Sequence, residues 1–401
     1  MARVVVGLSG GVDSSVAAYL LKAEGHEVIG LFMVNWHDTT GTLEGDCPWH
    51  DDRVFAELVA KKLDIALRVV DLSEEYRRRV VEYMFAEYEA GRTPNPDVLC
   101  NREIKFDVFL KEALKLGADY VATGHYCRKT TTTLPDGTER YHLLAGSDPN
   151  KDQSYFLCQL TQEQLRYALF PIGHLLKPEV RRIATEQGLA TAKRKDSQGI
   201  CFVGKVDLPT FLQQKLAKKV GNVHEIKQEW PKFDRRPHYT PSDDEPSDEL
   251  LEALAEGWHY TVRDGKKIGT HNGAHFYTIG QRKGLGIGGR KESLFILATD
   301  VAENVIYVGE GDSHRGLWRP ALKIESEATH WVDPDRAIAE GDTLRCLVRI
   351  RYRQPLQQAV LYHRAGGFYL LFDEPQRGIT AGQFAALYDD EELIASGVIC
   401  E

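Results

Sequence analysis

Gly7-Leu8-Ser9-Gly10-Gly11-Val12-Asp13-Ser14-Ser15 is the stretch on which the fold turns. It follows the apolar run Val4-Val5-Val6 and opens a segment in which Ala17, Leu20 and Leu21 recur at helical spacing. A strand, a glycine-rich turn and a helix in that order make a phosphate cradle. Glycines let backbone N–H groups approach phosphate oxygens, and the helix start adds positive dipole. Ser9 and Ser14 add hydroxyl donors. Asp13 repels bare phosphate, so its presence implies a Mg²⁺ ion carried with ATP. No Lys-Ser/Thr follows the glycines, which excludes a Walker-type loop, and this loop lacks the Gly-x-Gly-x-x-Gly spacing of a dinucleotide fold. The bland alternative is a glycine-rich turn that binds nothing.

Working outward, the pattern predicts strands over 4–8, 28–34, 67–70 and 120–123. Helices are predicted over 14–25, 51–63, 76–88, 104–116, 162–169 and 178–187. Such alternation implies a parallel sheet covered on both faces, an α/β Rossmann-like architecture. After about residue 204 the character changes. Residues 211–219 read as a short helix, and 222–250 as a polar, proline-bearing insertion. Asp264-Gly265 signals a hairpin between 260–262 and 266–268. From residue 293 onward short strands without a long helix predict an antiparallel β-barrel or sandwich. The expected division is 1–204 for a catalytic domain, 205–292 for a small mixed central domain, and 293–401 for the barrel.

Bulk properties narrow the class. The chain of 401 residues is 42% hydrophobic and 27% charged, an ordinary globular balance. No apolar run approaches a membrane span, and Val4-Val5-Val6 is too short for a secretory signal, so a cytoplasmic protein is expected. The formal charge of −9 argues against nucleic acid until its distribution is seen. Residues 241–256 hold seven acids and no base, and the rest of the chain is close to neutral. Arg77-Arg78-Arg79, Arg181-Arg182, Lys193-Arg194-Lys195 and Arg349 to Arg353 are candidate phosphate contacts or plain solvated faces. Seven widely spaced cysteines fit neither a disulfide scaffold nor a local zinc knuckle.

Two of those cysteines stand in polar loops beside cations. One closes Gly91-Arg92-Thr93-Pro94-Asn95-Pro96-Asp97-Val98-Leu99-Cys100, with Arg102 nearby. The other lies in Gly199-Ile200-Cys201-Phe202, after Lys193-Arg194-Lys195. Such settings expose a thiol and lower its pKa. Cys47, Cys127, Cys158, Cys346 and Cys400 read as inert thiols.

The loop at 7–15 resembles that of the PP-loop ATP pyrophosphatases. That resemblance implies cleavage of ATP between its α and β phosphates and transfer of AMP to an acceptor oxygen. Adding Ala122-Thr123-Gly124-His125-Tyr126, residues 150–157, the run TIGQRKGLGIGG at 278–289 and Arg351-Tyr352-Arg353-Gln354, almost the whole chain is similar to the tRNA-specific 2-thiouridylase family. The resemblance implies that Gly7, Leu8, Ser9, Gly10, Gly11, Val12, Asp13 and Ser14 hold ATP, with Met33 and Gly124 at the adenosine. It implies that Asn95, Pro96 and Asp97 meet the target uridine, and that Lys151, Asp152, Gln153, Arg351 and Tyr352 contact tRNA. Cys100 then resembles the catalytic cysteine and Cys201 the acceptor of persulfide sulfur from a carrier protein. Asp97 becomes an acid/base or base-orienting group. Two other uses of these residues stay open: a PP-loop amidating synthetase that needs neither thiol, and an iron–sulfur cluster on Asp97, Cys100 and Cys201. The acidic insertion is expected on a face away from RNA, or docking a basic partner.

Overall fold

The computed structural model describes residues 1–37, 49–195, 208–240 and 245–400. Its first sheet has five strands, all parallel: β1 (Arg3–Gly7), β2 (Glu27–Val34), β3 (Ala66–Asp71), β4 (Tyr120–Ala122) and β7 (Ala168–Leu169), in the order β3-β2-β1-β4-β7. Side chains alternate across a strand. Val4 and Val6 therefore face the helices Val12–Ala23, His50–Leu63 and Lys177–Glu186. Val5 faces the opposite layer, with Tyr76, Met84, Ile104 and Phe109. All three valines are fully buried, which is why β1 reads as a continuous apolar run. The strand order reverses between β1 and β4, and ligands of open α/β sheets bind at that reversal, beyond the carboxyl ends of the strands.

The predicted helix over 162–169 ends early. A Thr161/Gln164 capping box starts Gln162–Tyr167, and Ala168–Leu169 then pairs with β4. The proline at 171 disfavours continued helix in the residue before it. The hairpin β5 (Cys127–Thr133) and β6 (Glu139–Ala145) was not anticipated, because β5 is a run of threonines without apolar alternation. It joins the C-terminal sheet through β6 rather than the parallel one.

The central sheet is mixed, in the order β10-β11-β8-β9, with β8 (Gly221–Glu225) parallel to β11 (Val305–Glu310). β10 (Leu294–Asp300) and β11 complete this sheet instead of entering the barrel, because β11 has β8 as its neighbour. The hairpin expected at Asp264-Gly265 is only a turn. β9 (Lys266–His271) pairs with β8, while Trp258 and Tyr260 leave the ladder to pack on Trp230 and Phe233.

Six antiparallel strands close the barrel: β12 (Trp318–Trp331), β15 (Gly367–Arg377), β14 (Gln357–Arg364), β13 (Thr343–Arg349), β16 (Phe384–Asp389) and β17 (Glu392–Cys400), which returns to β12. Leu322, Val348, Leu361, Leu370 and Leu387 fill it. The acid-rich stretch is not loose where it is described. Ser247 caps the helix Asp248–Ala255, whose Leu251 and Leu254 pack on Ala321, Tyr369 and Leu371 of the barrel. Its acids meet barrel cations, Glu252 with Lys323 at 2.8 Å and Asp248 with Arg364 at 3.2 Å. Among the described residues no helix is long and apolar enough to cross a membrane.

Candidate functional site

The glycine-rich loop leaves β1 at the reversal of strand order and enters Val12–Ala23 with Gly11 as an extended cap that carries no side-chain acceptor. The first N–H groups of that helix thus have no capping oxygen from its own cap residue. Gly10 holds φ +73°, and a Cβ there would lie 2.1 Å from the Asp52 carbonyl oxygen, so only glycine fits. Ser14 Oγ accepts from the Ser9 N–H at 3.2 Å and lies 3.2 Å from Ser9 Oγ. Both hydroxyls predicted as phosphate donors therefore share one turn. From β4 comes Gly124, whose imagined Cβ would sit 2.6 Å from the Ser14 nitrogen. The Thr123-Gly124-His125 backbone is thus pressed directly on the helix start. Met33, buried near the end of β2, lies close to Gly7.

Asp13 differs from expectation. Both its carboxylate oxygens accept from Lys177 Nζ, at 2.7 and 2.9 Å, and Oδ1 also accepts from Tyr126 Oη at 2.7 Å. A magnesium ion on Asp13 would compete with an ammonium already bonded to both oxygens, so the carboxylate does not fit as a ready metal ligand. Lys177, 8% exposed, stands at the first position of its helix, and its N–H donates to Asp148 Oδ2 at 2.9 Å. Arg194 secures the other side of the loop, donating to the Gly10 carbonyl at 2.8 Å and pairing with Asp52 at 2.8 Å. Burial raises the Asp52 carboxyl above its usual range, against the pull of Arg194.

The uridine-side segment is built by three parts of the fold. Gln383 of the barrel donates to the Thr93 and Pro94 carbonyls at 2.7 and 3.1 Å, and the Thr93 N–H donates to Ala381. Thr93 Oγ1 lies 3.3 Å from Thr278 Oγ1 of the central part. Asn95 caps the next helix, accepting from the Val98 N–H at 3.3 Å, with Pro96 at its first position and Asp97 half-buried in its first turn. The cap is thus Asn95 and not Asp97. The helix continues with π-type turns over Cys100–Val108, a geometry that recurs at functional sites. Cys100 is fully buried among apolar side chains, not exposed in a polar loop as expected. The amphipathic helix has absorbed it: Val98, Leu99, Cys100 and Ile104 all face the core. Further along, Lys105 Nζ lies 3.5 Å from His125 Nε2, and His125 Nδ1 lies 2.7 Å from Thr123 Oγ1. Burial, with Lys105 second, holds His125 well below its ordinary pKa. The helix of Cys100 is thereby tied to the strand end that touches the loop.

Cys201 and the motif around it, like Cys47, lie outside the described residues. Cys127, Cys158 and Cys346 are buried, and burial raises their thiols, those of Cys158 and Cys346 to about 12. Cys400 is half-buried, and burial raises its thiol as well.

Of the expected tRNA contacts, Asp152 is buried. Its Oδ1 accepts from the Gly146 and Ser154 N–H groups, and its Oδ2 pairs with Arg349 at 2.8 Å. Gln153 Oε1 accepts from the Tyr126 N–H. Lys151 is half-buried at the turn, the Tyr352 ring is tilted against Phe156 with ring centres 4.3 Å apart, and Arg351 is exposed while donating to the Gly378 carbonyl. Of the basic runs, Arg77, Arg78 and Arg79 are engaged by Glu74, Glu75, Glu82 and Asp107, so the solvated-face reading holds for them.

Lys177, Tyr126, Arg194 and Gln383 were not singled out for these roles from the sequence. One signal was available: a lysine at a helix N-terminus opposes the dipole, which makes sense only if an anion is near.

Comparison with known proteins agrees with this geometry. Residues 2–205 match the tRNA methyl transferase HUP domain, 249–310 the tRNA methyl transferase PRC-barrel domain and 322–399 the aminomethyltransferase beta-barrel domain. A tRNA-specific 2-thiouridylase MnmA of Christiangramia forsetii is 58% identical over 401 residues, covering 100% of both chains. One from Flavobacterium johnsoniae is 57% identical over 399 residues, again covering 100% of both. One from Streptococcus thermophilus is 43% identical, covering 99% of this chain and 95% of its own. The phosphate loop at the sheet reversal, the capped Asn95–Cys100 helix start and this full-length identity place the chain in the tRNA-specific 2-thiouridylase family of PP-loop enzymes.

Proposed function

We propose that this chain, in the cytoplasm, converts the wobble uridine of tRNA to 2-thiouridine, with ATP going to AMP and pyrophosphate. One observation carries the reading: Gly124 is pressed on the phosphate loop, and the strand end that carries it is joined through His125 and Lys105 to the helix bearing Asp97 and Cys100. The phosphate loop and the helix of Cys100 are thus linked through one strand end.

The C2 carbonyl of a stacked uridine is hard to reach, so the base flips out of the anticodon loop toward the Asn95-Pro96-Asp97 turn. The uridine O2 bonds to the α-phosphorus, and the bond to the β-phosphate oxygen breaks, its electron pair leaving with pyrophosphate. Ser9, Ser14 and the N–H groups of the helix start receive phosphate oxygens. Asp97 orients the base or exchanges its proton. A carrier protein loads Cys201 as a persulfide; its terminal sulfur bonds to C2 and AMP departs from the same carbon. Cys100 attacks the Cys201 sulfur and breaks its bond to the sulfur now on C2, which keeps that electron pair as the thiocarbonyl; the Cys100–Cys201 disulfide so formed is then reduced by an external thiol. Lys151, Arg351 and Tyr352 lie on surfaces suited to tRNA. Magnesium enters on the phosphates of ATP rather than on Asp13.

The test is nucleoside analysis of unmodified tRNA after incubation with the protein, ATP and a persulfide donor. 2-Thiouridine with wild type and none with Cys100→Ser supports the reading. Thiolation that survives loss of Cys100 contradicts it, and visible absorbance that Cys100→Ser abolishes in anaerobic protein turns it toward a cluster enzyme.

A further inference from the structure

Just past the end of β2 the chain buries an amide that bonds to nothing. Asn35 is 1% exposed, and neither its Oδ1 nor its Nδ2 has a hydrogen-bond partner among the described residues. No other described side chain leaves two buried polar atoms unpartnered. Trp36, beside it and 7% exposed, leaves its indole N–H unpartnered as well. Buried polar groups without partners are costly, and folded proteins keep few of them. We infer that Asn35 is a recognition residue for the target base. Its amide takes the N3–H and O4 edge of the flipped uracil and leaves O2 free for the α-phosphorus. The inference rests on the function proposed above.

Position carries the first part. β1 pairs with β2 only as far as Gly7 with Leu31, then turns away into the phosphate loop. β2 runs on, held from its other side by β3 up to Val34 with Asp71. Asn35 therefore stands past the last strand partner, at the crevice where open α/β sheets take their ligands. Met33 and Trp36, on either side of it in the chain, pack in the same buried cluster as Val98, Leu99 and Cys100. Met33 also lies close to Gly7. The stretch that carries the amide thus borders both the phosphate loop and the layer of the thiol.

Chemistry selects the base. Uracil presents a donor at N3 and acceptors at O2 and O4, and a flipped base is read on that edge. An amide can accept from N3–H while donating to O4. The segment expected to meet the base supplies no free side-chain donor. Asn95 Oδ1 accepts from the Val98 N–H, and Asn95 Nδ2 is turned to Gln383 Oε1 at 3.5 Å. Pro96 lacks even a backbone N–H, and an ionised Asp97 only accepts. Adenine also pairs with an amide. With adenosine at Met33, as the family resemblance implies, Asn35 lies two residues, or about 7 Å, further along the chain. That places it beyond the nucleotide, toward the incoming base.

The experiment uses the full chain and measures tRNA-dependent pyrophosphate release together with thermal unfolding. Asn35→Leu should unfold no earlier than wild type, because no hydrogen bond of the free protein is lost. It should lower kcat/KM for tRNA about 10- to 100-fold, the scale of two hydrogen bonds, with the KM for ATP within about threefold. A tRNA with 4-thiouridine at the wobble position keeps N3–H and O2 but replaces O4 by a poor acceptor. It should slow wild type about fivefold or more and leave Asn35→Leu unchanged. If Asn35→Leu unfolds, Asn35→Ala, which adds no atoms, carries the same kinetic expectations. Either variant within about threefold of wild type on tRNA overturns the inference. So does a rise of about tenfold in the KM for ATP, which would give the amide to adenine, or equal slowing of wild type and variant by 4-thiouridine. Wild-type release that ignores tRNA overturns the proposed function itself, and this inference with it.

Discussion

Replacing Gly124 by alanine adds one methyl group at the tightest point of the site. The new carbon would lie 2.6 Å from the Ser14 nitrogen and 2.7 Å from the Asp13 carbonyl carbon, both backbone atoms that cannot rotate away. Ordinary contact begins at 3.4 Å, so the deficit at Ser14 is about 0.8 Å. Either the start of Val12–Ala23 retreats or the end of β4 does. Overpacking of this kind costs about 1–3 kcal/mol of stability, a loss a domain of ordinary stability survives. The larger effect falls on chemistry, because the phosphate loop and the strand end that carries Gly124 move apart. A displacement near 1 Å costs roughly a hundredfold in rate when reacting groups must be aligned. Gly124→Ala should therefore fold, bind tRNA within about threefold of wild type, and lose about 30- to 100-fold in tRNA-dependent pyrophosphate release. The assay is kcat/KM for ATP at saturating tRNA, with urea unfolding as the control. A Gly124→Ala protein with wild-type kcat/KM would show that this contact does not position the nucleotide.

Other consequences can be checked independently. Arg349→Met leaves the buried Asp152 carboxylate without its cation and should cost about 3–5 kcal/mol in urea unfolding, with most of it recovered by adding Asp152→Asn. His125 has a folded pKa below its unfolded value, so the unfolded chain binds the proton first as pH falls. Its contribution is complete above the ordinary histidine range and is lost progressively as pH falls from about 6.5 toward the lower folded pKa; replacing it with asparagine should flatten the stability–pH slope in that window by up to one proton, about 1.4 kcal/mol per pH unit. Cys100→Ser should release pyrophosphate on tRNA yet form no 2-thiouridine, separating adenylylation from sulfur transfer.

Much of this was legible in the sequence because local rules and global fold agree. Val4-Val5-Val6 is apolar throughout because β1 is covered on both faces, and Gly10 after it sits where a positive φ and the close approach of the Asp52 backbone demand glycine. Illegible parts were those decided by distant partners. Nothing near β5 announces that a polar run of threonines will extend the sheet of a barrel over two hundred residues away. Cys100 looked exposed because prolines and an arginine flank it, but helical periodicity from Pro96 turns it inward. Asp13 looked like a metal ligand because its cation comes from residue 177. Likewise Asp152 looked like a surface contact because its partner, Arg349, belongs to another part of the fold.

The central claim is that ATP is spent on adenylylating tRNA. The most direct measurement follows ATP turnover with and without unmodified tRNA, separating AMP, pyrophosphate and orthophosphate. The account predicts AMP and pyrophosphate in equal amounts, formed only when tRNA is present. Orthophosphate as the product, or pyrophosphate released at the same rate without tRNA, would contradict it.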